Sequence, residues 1–240
     1  MTVSASSLIG YGLADNKALA TLPISFHLLG TMLAGIPASL LMKRVGRRYG
    51  FMIGTGIGVS GAAAATLAII YSNFIFFCLS IFLLGLLSGF SQLYRFAAAE
   101  VASTELRAKA VSWVMLGGII AGFIGPTIAV KAKDLIADAP FAGSYLVVII
   151  LHVVIVAILF MIRLPQPTVE EQTGESRPWR EIFSQPKIIV AVLTSMVGYG
   201  VMAMIMTATP LAMTVGSGHH FSDAAFVIQW HVVGMFAPSF

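Results

Sequence analysis

Apolar residues run along this chain in long uninterrupted stretches rather than in alternation with polar ones. Residues 18–42, 49–94, 110–130, 139–162 and 188–222 contain no Asp, Glu, Lys or Arg. A helix needs roughly 20 apolar residues to cross the hydrocarbon core of a bilayer. The second stretch is long enough for two such helices, divided at the polar turn Tyr71-Ser72-Asn73. The last holds one, followed by the polar segment from Gly216 to His220. The pattern therefore predicts complete spans at 19–42, 50–71, 74–98, 109–130, 143–163 and 187–209. Continuous runs predict helices, since strands of a membrane barrel would alternate. Residues 1–14 and 224–240 are apolar but short. Fourteen residues rise only about 21 Å against a core of roughly 30 Å. The two ends are expected to be incomplete first and eighth spans of a truncated all-α membrane bundle, with half-inserted ends as the alternative.

Composition narrows the class. The chain is 58% hydrophobic and 10% charged, whereas soluble domains run at about 25% charged. Its net charge of +4 does not suggest nucleic acid, because that reading needs a basic face on a soluble fold. One cysteine, Cys78, excludes a disulfide within the chain and is expected to pack as an apolar thiol. The opening stretch MTVSASSLIGYGLA lacks the basic region of a cleaved signal peptide.

The placement of the cations sets the orientation. With the N-terminal side in the cytoplasm, all but three of the 14 Lys and Arg fall in inner loops. The three outer ones are Lys17, Lys131 and Lys133. Basic residues are retained on the cytoplasmic side, and moving several through hydrocarbon is prohibitive. The inner group includes Lys43, Arg44, Arg47 and Arg48, then Arg95, Arg107 and Lys109, then Arg163, Arg177, Arg180 and Lys187. The expected organisation is a six-helix half at 1–163 with its first span incomplete, a Pro- and Glu-containing cytoplasmic linker at 164–186, and the start of a second half at 187–240. Within the linker, PWREIFSQPK suits a short interfacial helix anchored by Trp179.

Three short patterns sit in these loops. In Lys43-Arg44-Val45-Gly46-Arg47-Arg48, Gly46 stands where a tight helix reversal has no room for a side chain. After the fourth span comes Glu100-Val101-Ala102-Ser103-Thr104-Glu105-Leu106-Arg107-Ala108-Lys109-Ala110. The fifth span carries Gly118, Gly122, Gly125 and Pro126, small residues that let helices approach and a proline that bends one. Each has an ordinary alternative: a positive-inside loop, surface ion pairing, and generic packing of the kind seen at Gly50/Gly54/Gly58 and Gly85/Gly89. Together, and in this order, they resemble the loops of the major facilitator superfamily. Arg44, Gly46, Arg47 and Arg48 match the family's signature loop, while Ser39 and Lys43 replace its first glycine and its aspartate. The resemblance implies a gate loop at Lys43 to Arg48, a latch involving Glu100 and Arg107, and a fifth-span motif associated with exporter and antiporter branches.

Gly85, Ser88, Gly89, Gln92 and Arg95 recur at three- and four-residue spacing and share a helix face. A polar stripe on a spanning helix usually lines a bundle interior or water-filled cavity. Arg95 also matches a fourth-span arginine of the family, with snorkelling to the cytoplasm as the alternative. Gln92 and Arg95 are thus candidate pathway residues, together with Tyr199, Gln229 and Trp230, which could stack on and hydrogen-bond a planar solute or simply pack. His27 and His152 lie within spans, where a proton relay competes with a packing role; His231 adjoins Trp230. His219-His220 lacks the further ligands of a zinc site, and Gly54-Thr55-Gly56-Ile57-Gly58 lacks the context of a phosphate loop. No nucleophile constellation appears, so an enzyme and a cofactor are not expected.

Finally, FSQLYRFAAAEVAS, ATPLAM and DAAFVIQWHVVGMFAPSF resemble a bacterial branch of the superfamily that includes riboflavin importers. The resemblance implies secondary active transport of a small organic solute by alternating access in a bacterial inner membrane. Its partners would be the solute, a coupling proton or cation, and the lipid bilayer, without nucleic acid. The alternatives are an efflux antiporter and a truncated remnant or membrane scaffold that does not transport. As an incomplete bundle, the chain is expected not to transport alone.

Overall fold

The computed structural model describes residues 2–162, 164–165 and 178–237, without the side chains of residues 2–4 and 179. These residues form helices α1 (Thr2–Leu13), α2 (Leu22–Val45), α3 (Arg47–Ile70), α4 (Phe74–Ser91), α5 (Tyr94–Val101), α6 (Arg107–Ala132) and α7 (Ala142–Met161), followed by α8 (Trp179–Phe183), α9 (Pro186–Leu211) and α10 (Phe221–Phe236). No strand occurs among the described residues. Six helical segments are long and apolar enough to span a membrane: Lys17–Val45, Arg47–Ile70, Phe74–Val101, Thr104–Ala132, Ala142–Met161 and Pro186–Gly216. They coincide with the six complete spans expected from the charge-free runs, and α1 and α10 occupy the two short end segments. Most of the expected linker, including Arg163 and Arg177, lies outside the described residues, as does the Trp179 side chain.

Polar residues mark the helix ends. Asn73 Oδ1 accepts from the Phe76 amide at 2.9 Å and starts α4; such a cap satisfies an amide the helix itself cannot. The Lys17 ammonium donates to the carbonyls of Tyr11 (2.7 Å) and Ala14 (2.8 Å), closing the C-terminal end of α1. Gly46 alone links α2 to α3, at φ 88° and ψ 159°. A side chain is strongly disfavoured there.

Small residues let the central helices touch along their backbones. A Cβ on Gly85 would fall on the carbonyl of His27, and one on Gly30 on the carbonyl of Phe82, so α2 and α4 lie in backbone contact. Gly54 admits the Phe90 ring, whose Cγ lies 2.6 Å from where a Cβ would stand. In this way α3 nests against α4 on one side and α7 on the other. Two buried hydroxyls turn back onto their own helix, Thr55 donating to Phe51 O at 2.8 Å and Thr66 to Ala62 O at 3.0 Å, while the Ser144 hydroxyl crosses from α7 to Ala129 O of α6 at 3.1 Å. Each thereby satisfies a hydroxyl in an apolar interior. One buried cluster, including Ala5, Ile9, Phe77, Ile81 and Tyr145, fills the end of the bundle at the α6–α7 turn, the end expected to face outward. Another, including Ala38, Met42, Phe51, Phe90 and Leu159, fills the opposite end, at the α2–α3 turn. Helix α9 differs from the rest: none of its most apolar window is buried, and among the described residues it packs mainly on α1, with α10 and α8 beside it.

Candidate functional site

The cationic turn is tied to two other helix ends. Arg47 Nε donates to Glu100 Oε2 at 2.9 Å, and its Nη2 donates to Glu100 Oε1. Two parallel bonds of this kind give a guanidinium–carboxylate pair its directionality. The pair joins the start of α3 to the end of α5. Arg48 turns the other way. Its Nε and Nη2 donate to the carbonyls of Leu159 (2.9 Å) and Phe160 (2.7 Å), and its guanidinium lies 5.8 Å from the Phe160 ring centre. These carbonyls belong to the last turn of α7, which has no amides of its own to offer them. Lys43 and Arg44 lie in the last turn of α2, where positive charge complements the helix dipole.

Of the expected latch, the structure brings Glu100 to Arg47 and leaves Arg107 exposed, without an ion pair among the described residues. The capping of α7 by Arg48 had no sequence signal, because the acceptors are main-chain atoms.

The polar stripe of the fourth span is divided. Gly85, Ser88 and Gly89 face α2: Ser88 Oγ lies 3.3 Å from His27 Nε2, and Thr31 Oγ1 lies 2.9 Å from His27 O and 3.1 Å from Gly85 O. A Cβ on Gly89 would stand 2.5 Å from Ala34 Cβ. The helix then breaks at Gln92 and Leu93 before α5 resumes. Gln92 and Arg95 are exposed, with the Arg95 guanidinium 5.1 Å from the Phe96 ring centre. His152 Nδ1 lies 2.6 Å from Val148 O, one turn back on its own helix. Below the break, the ends of α3, α5, α6 and α7 on the side of the α2–α3 turn line an open apolar cavity of about 570 Å³, bounded by Phe51, Tyr94, Val101, Val114 and Leu159 among others.

The fifth-span glycines form a seam with α10. A Cβ on Gly122 would stand 2.8 Å from Val232 Cγ1, and one on Gly118 3.1 Å from the Phe236 ring. Pro126 is buried within α6 and Gly125 half-buried. Beside this seam, Trp230 packs edge-on against Phe123 (5.7 Å, 79°) and Phe226 (6.2 Å, 70°). Trp230 remains 52% exposed, and Gln229 is half-buried. Tyr199 is exposed on α9; among the described residues it makes no ring contact with this group. His220 instead caps α10, its amide donating to Asp223 Oδ2 at 3.2 Å.

The family model described as Major Facilitator Superfamily matches residues 1–239. The riboflavin transporter RfnT of Brucella anthropi is 40% identical over 244 residues, covering 100% of this chain and 61% of the relative. A transporter of Bacillus subtilis, described as the uncharacterized MFS-type transporter YddS, is 22% identical over 253 residues, covering 99% of this chain and 58% of that protein. The chain thus spans about three fifths of the length of these curated relatives. No solved structure matches it significantly. The spanning helices and the bacterial relatives make it a multi-pass protein of a bacterial membrane. With the family's model matched along nearly its whole length, on a helical bundle whose loops carry the family's charged turn, the chain belongs to the major facilitator superfamily.

Proposed function

We propose that this chain belongs to a secondary transporter that moves a small organic solute by alternating access, and that riboflavin or a similar planar heterocycle is that solute. Family and relatives point to a transporter rather than an enzyme. The observation that carries the mechanism is the pair between Arg47 and Glu100, which crosses from the α2–α3 turn to the end of α5. An ion pair joining helix ends at the membrane surface is held in one arrangement and broken in another, which is what a two-state gate requires. Lys43, Arg44, Gly46 and Arg48 complete the gate loop. Gln92 and Arg95 would face the pathway, and a proton or cation gradient would supply the driving force. The aromatic group of Phe123, Phe226 and Trp230, with Gln229 beside it, suits a flat ring that stacks and hydrogen-bonds. The relative from Brucella anthropi, named a riboflavin transporter, supports that choice of solute.

Export is the second reading, favoured by the Gly118, Gly122 and Pro126 seam, since the resemblance ties that motif to exporters. Right-side-out vesicles holding the whole transporter to which this chain belongs, energised with a proton or sodium gradient, would be given labelled riboflavin. Gradient-dependent accumulation supports import; gradient-dependent loss from preloaded vesicles supports export. If neither occurs while the protein is inserted normally, the transport reading fails for this chain.

A further inference from the structure

We infer that Phe141 and Phe221 form an aromatic clamp that holds the outer end of α10 against the α6–α7 turn, and that its release opens the outer side of the pathway. The inference rests on the alternating-access reading. Phe141 has φ 69° and ψ −12°, a left-handed conformation that is an outlier for a bulky residue. Such a conformation persists only where its surroundings over-determine it. Three main-chain bonds fix the turn: Phe141 N–H to Lys133 O at 2.7 Å, Ala142 N–H to Ala139 O at 3.1 Å, and Ser144 N–H to Phe141 O at 3.0 Å. The Phe141 side chain packs against the outer core cluster that contains Ala5, Ile9 and Tyr145. Its ring also meets that of Phe221 at 5.1 Å and 88°, the edge-to-face arrangement.

Phe221 is the first residue of α10 and only 9% exposed. Below it, Ala224, Ala225 and Ile228 continue the buried face of the helix. Farther along, the α6–α10 seam runs over the glycines at 122 and 118, where Val232 and Phe236 pack onto the α6 backbone, and its large aromatic contact, Trp230 on Phe123, is half open. The outer turn is therefore where a bulky, buried contact locks the two segments. The main-chain bonds hold the Phe141 turn in place independently of Phe221, so the ring contact can part while the turn stays formed, as a gate between two packed states requires.

The test reads closure without any solute, so its failure is distinguishable from failure of riboflavin transport. In full-length chain carrying Cys78→Ala, Ala225→Cys places a thiol one turn beneath Phe221. Its modification by a membrane-impermeant thiol reagent added outside intact cells measures opening. Phe221→Ala, and Phe141→Gly, which removes the ring while relieving the backbone, should each raise that rate at least about threefold. The double variant should react no faster than the faster single one. A second reporter, Ala142→Cys, lies fully buried on the α7 side of the turn and should stay protected. Unchanged rates at Ala225→Cys, additive effects, or an equal rise at Ala142→Cys, which would signal general loosening of the bundle, each overturn the clamp.

Discussion

Gly46 is the position where a single atom decides the most. Its φ of 88° is positive, outside the range an ordinary side chain accepts, and no other residue separates α2 from α3. Gly46→Val should cost about 1–3 kcal/mol through backbone strain, read as a lowered apparent Tm in detergent. In a transporting protein it should also reduce flux while membrane insertion stays normal; unchanged flux would count against a gating role. Arg47 and Glu100 test a different physical effect. Glu100 is 56% exposed, so solvent screens the pair and its coupling should be no more than about 1 kcal/mol in a double-mutant cycle on stability. Arg47→Lys should lose most of that coupling, because an ammonium cannot make the two parallel bonds of a guanidinium. If Arg47→Lys behaves as wild type, the two-pronged geometry is not what holds the turn.

At the scale of helices, the backbone contact between α2 and α4 separates glycines that are needed from those that are not. Gly85→Leu would drive its side chain into the His27 carbonyl, and overpacking of this kind costs about 1–3 kcal/mol or more. Gly56 is also within a helix, yet a Cβ there meets nothing within 4 Å. Gly56→Ala should therefore stabilise by roughly 0.5–1 kcal/mol through helix propensity alone. Thermal unfolding monitored by size-exclusion should move the two variants in opposite directions. The six complete spans were legible because the length of a charge-free run is a direct measure of what can cross a bilayer. The break between α4 and α5 was not, since Gln92-Leu93 contains neither glycine nor proline. The face of Gly85, Ser88 and Gly89 was legible as a shared face. That it meets α2 and not a cavity depends on helix packing, which spacing within one helix does not encode. Glu100 was expected to act with Arg107; that it pairs with Arg47 instead depends on which helix ends converge, which the sequence does not encode.

For the whole molecule, the surface of the helices carries the argument. Met32, Met161, Met196, Tyr71 and Ile75 are each at least 69% exposed, which water would penalise and lipid does not. Such a bundle is held less by burial than by close approach of small residues and by satisfied polar groups. The cations then decide which way it faces. Arg44 is exposed at the inner end of α2, and Lys133 at the outer turn after α6 has a side chain 35% exposed. In the Cys78→Ala background, Lys133→Cys in intact cells should react with an impermeant thiol reagent, and Arg44→Cys should react only after the membrane is permeabilised. The reverse labelling would invert the topology and with it the outer placement of the Phe141 turn. Because the inner loops carry most of the cations, removing Arg44 alone leaves Lys43, Arg47 and Arg48 to hold the same orientation, so the reporter does not disturb what it measures.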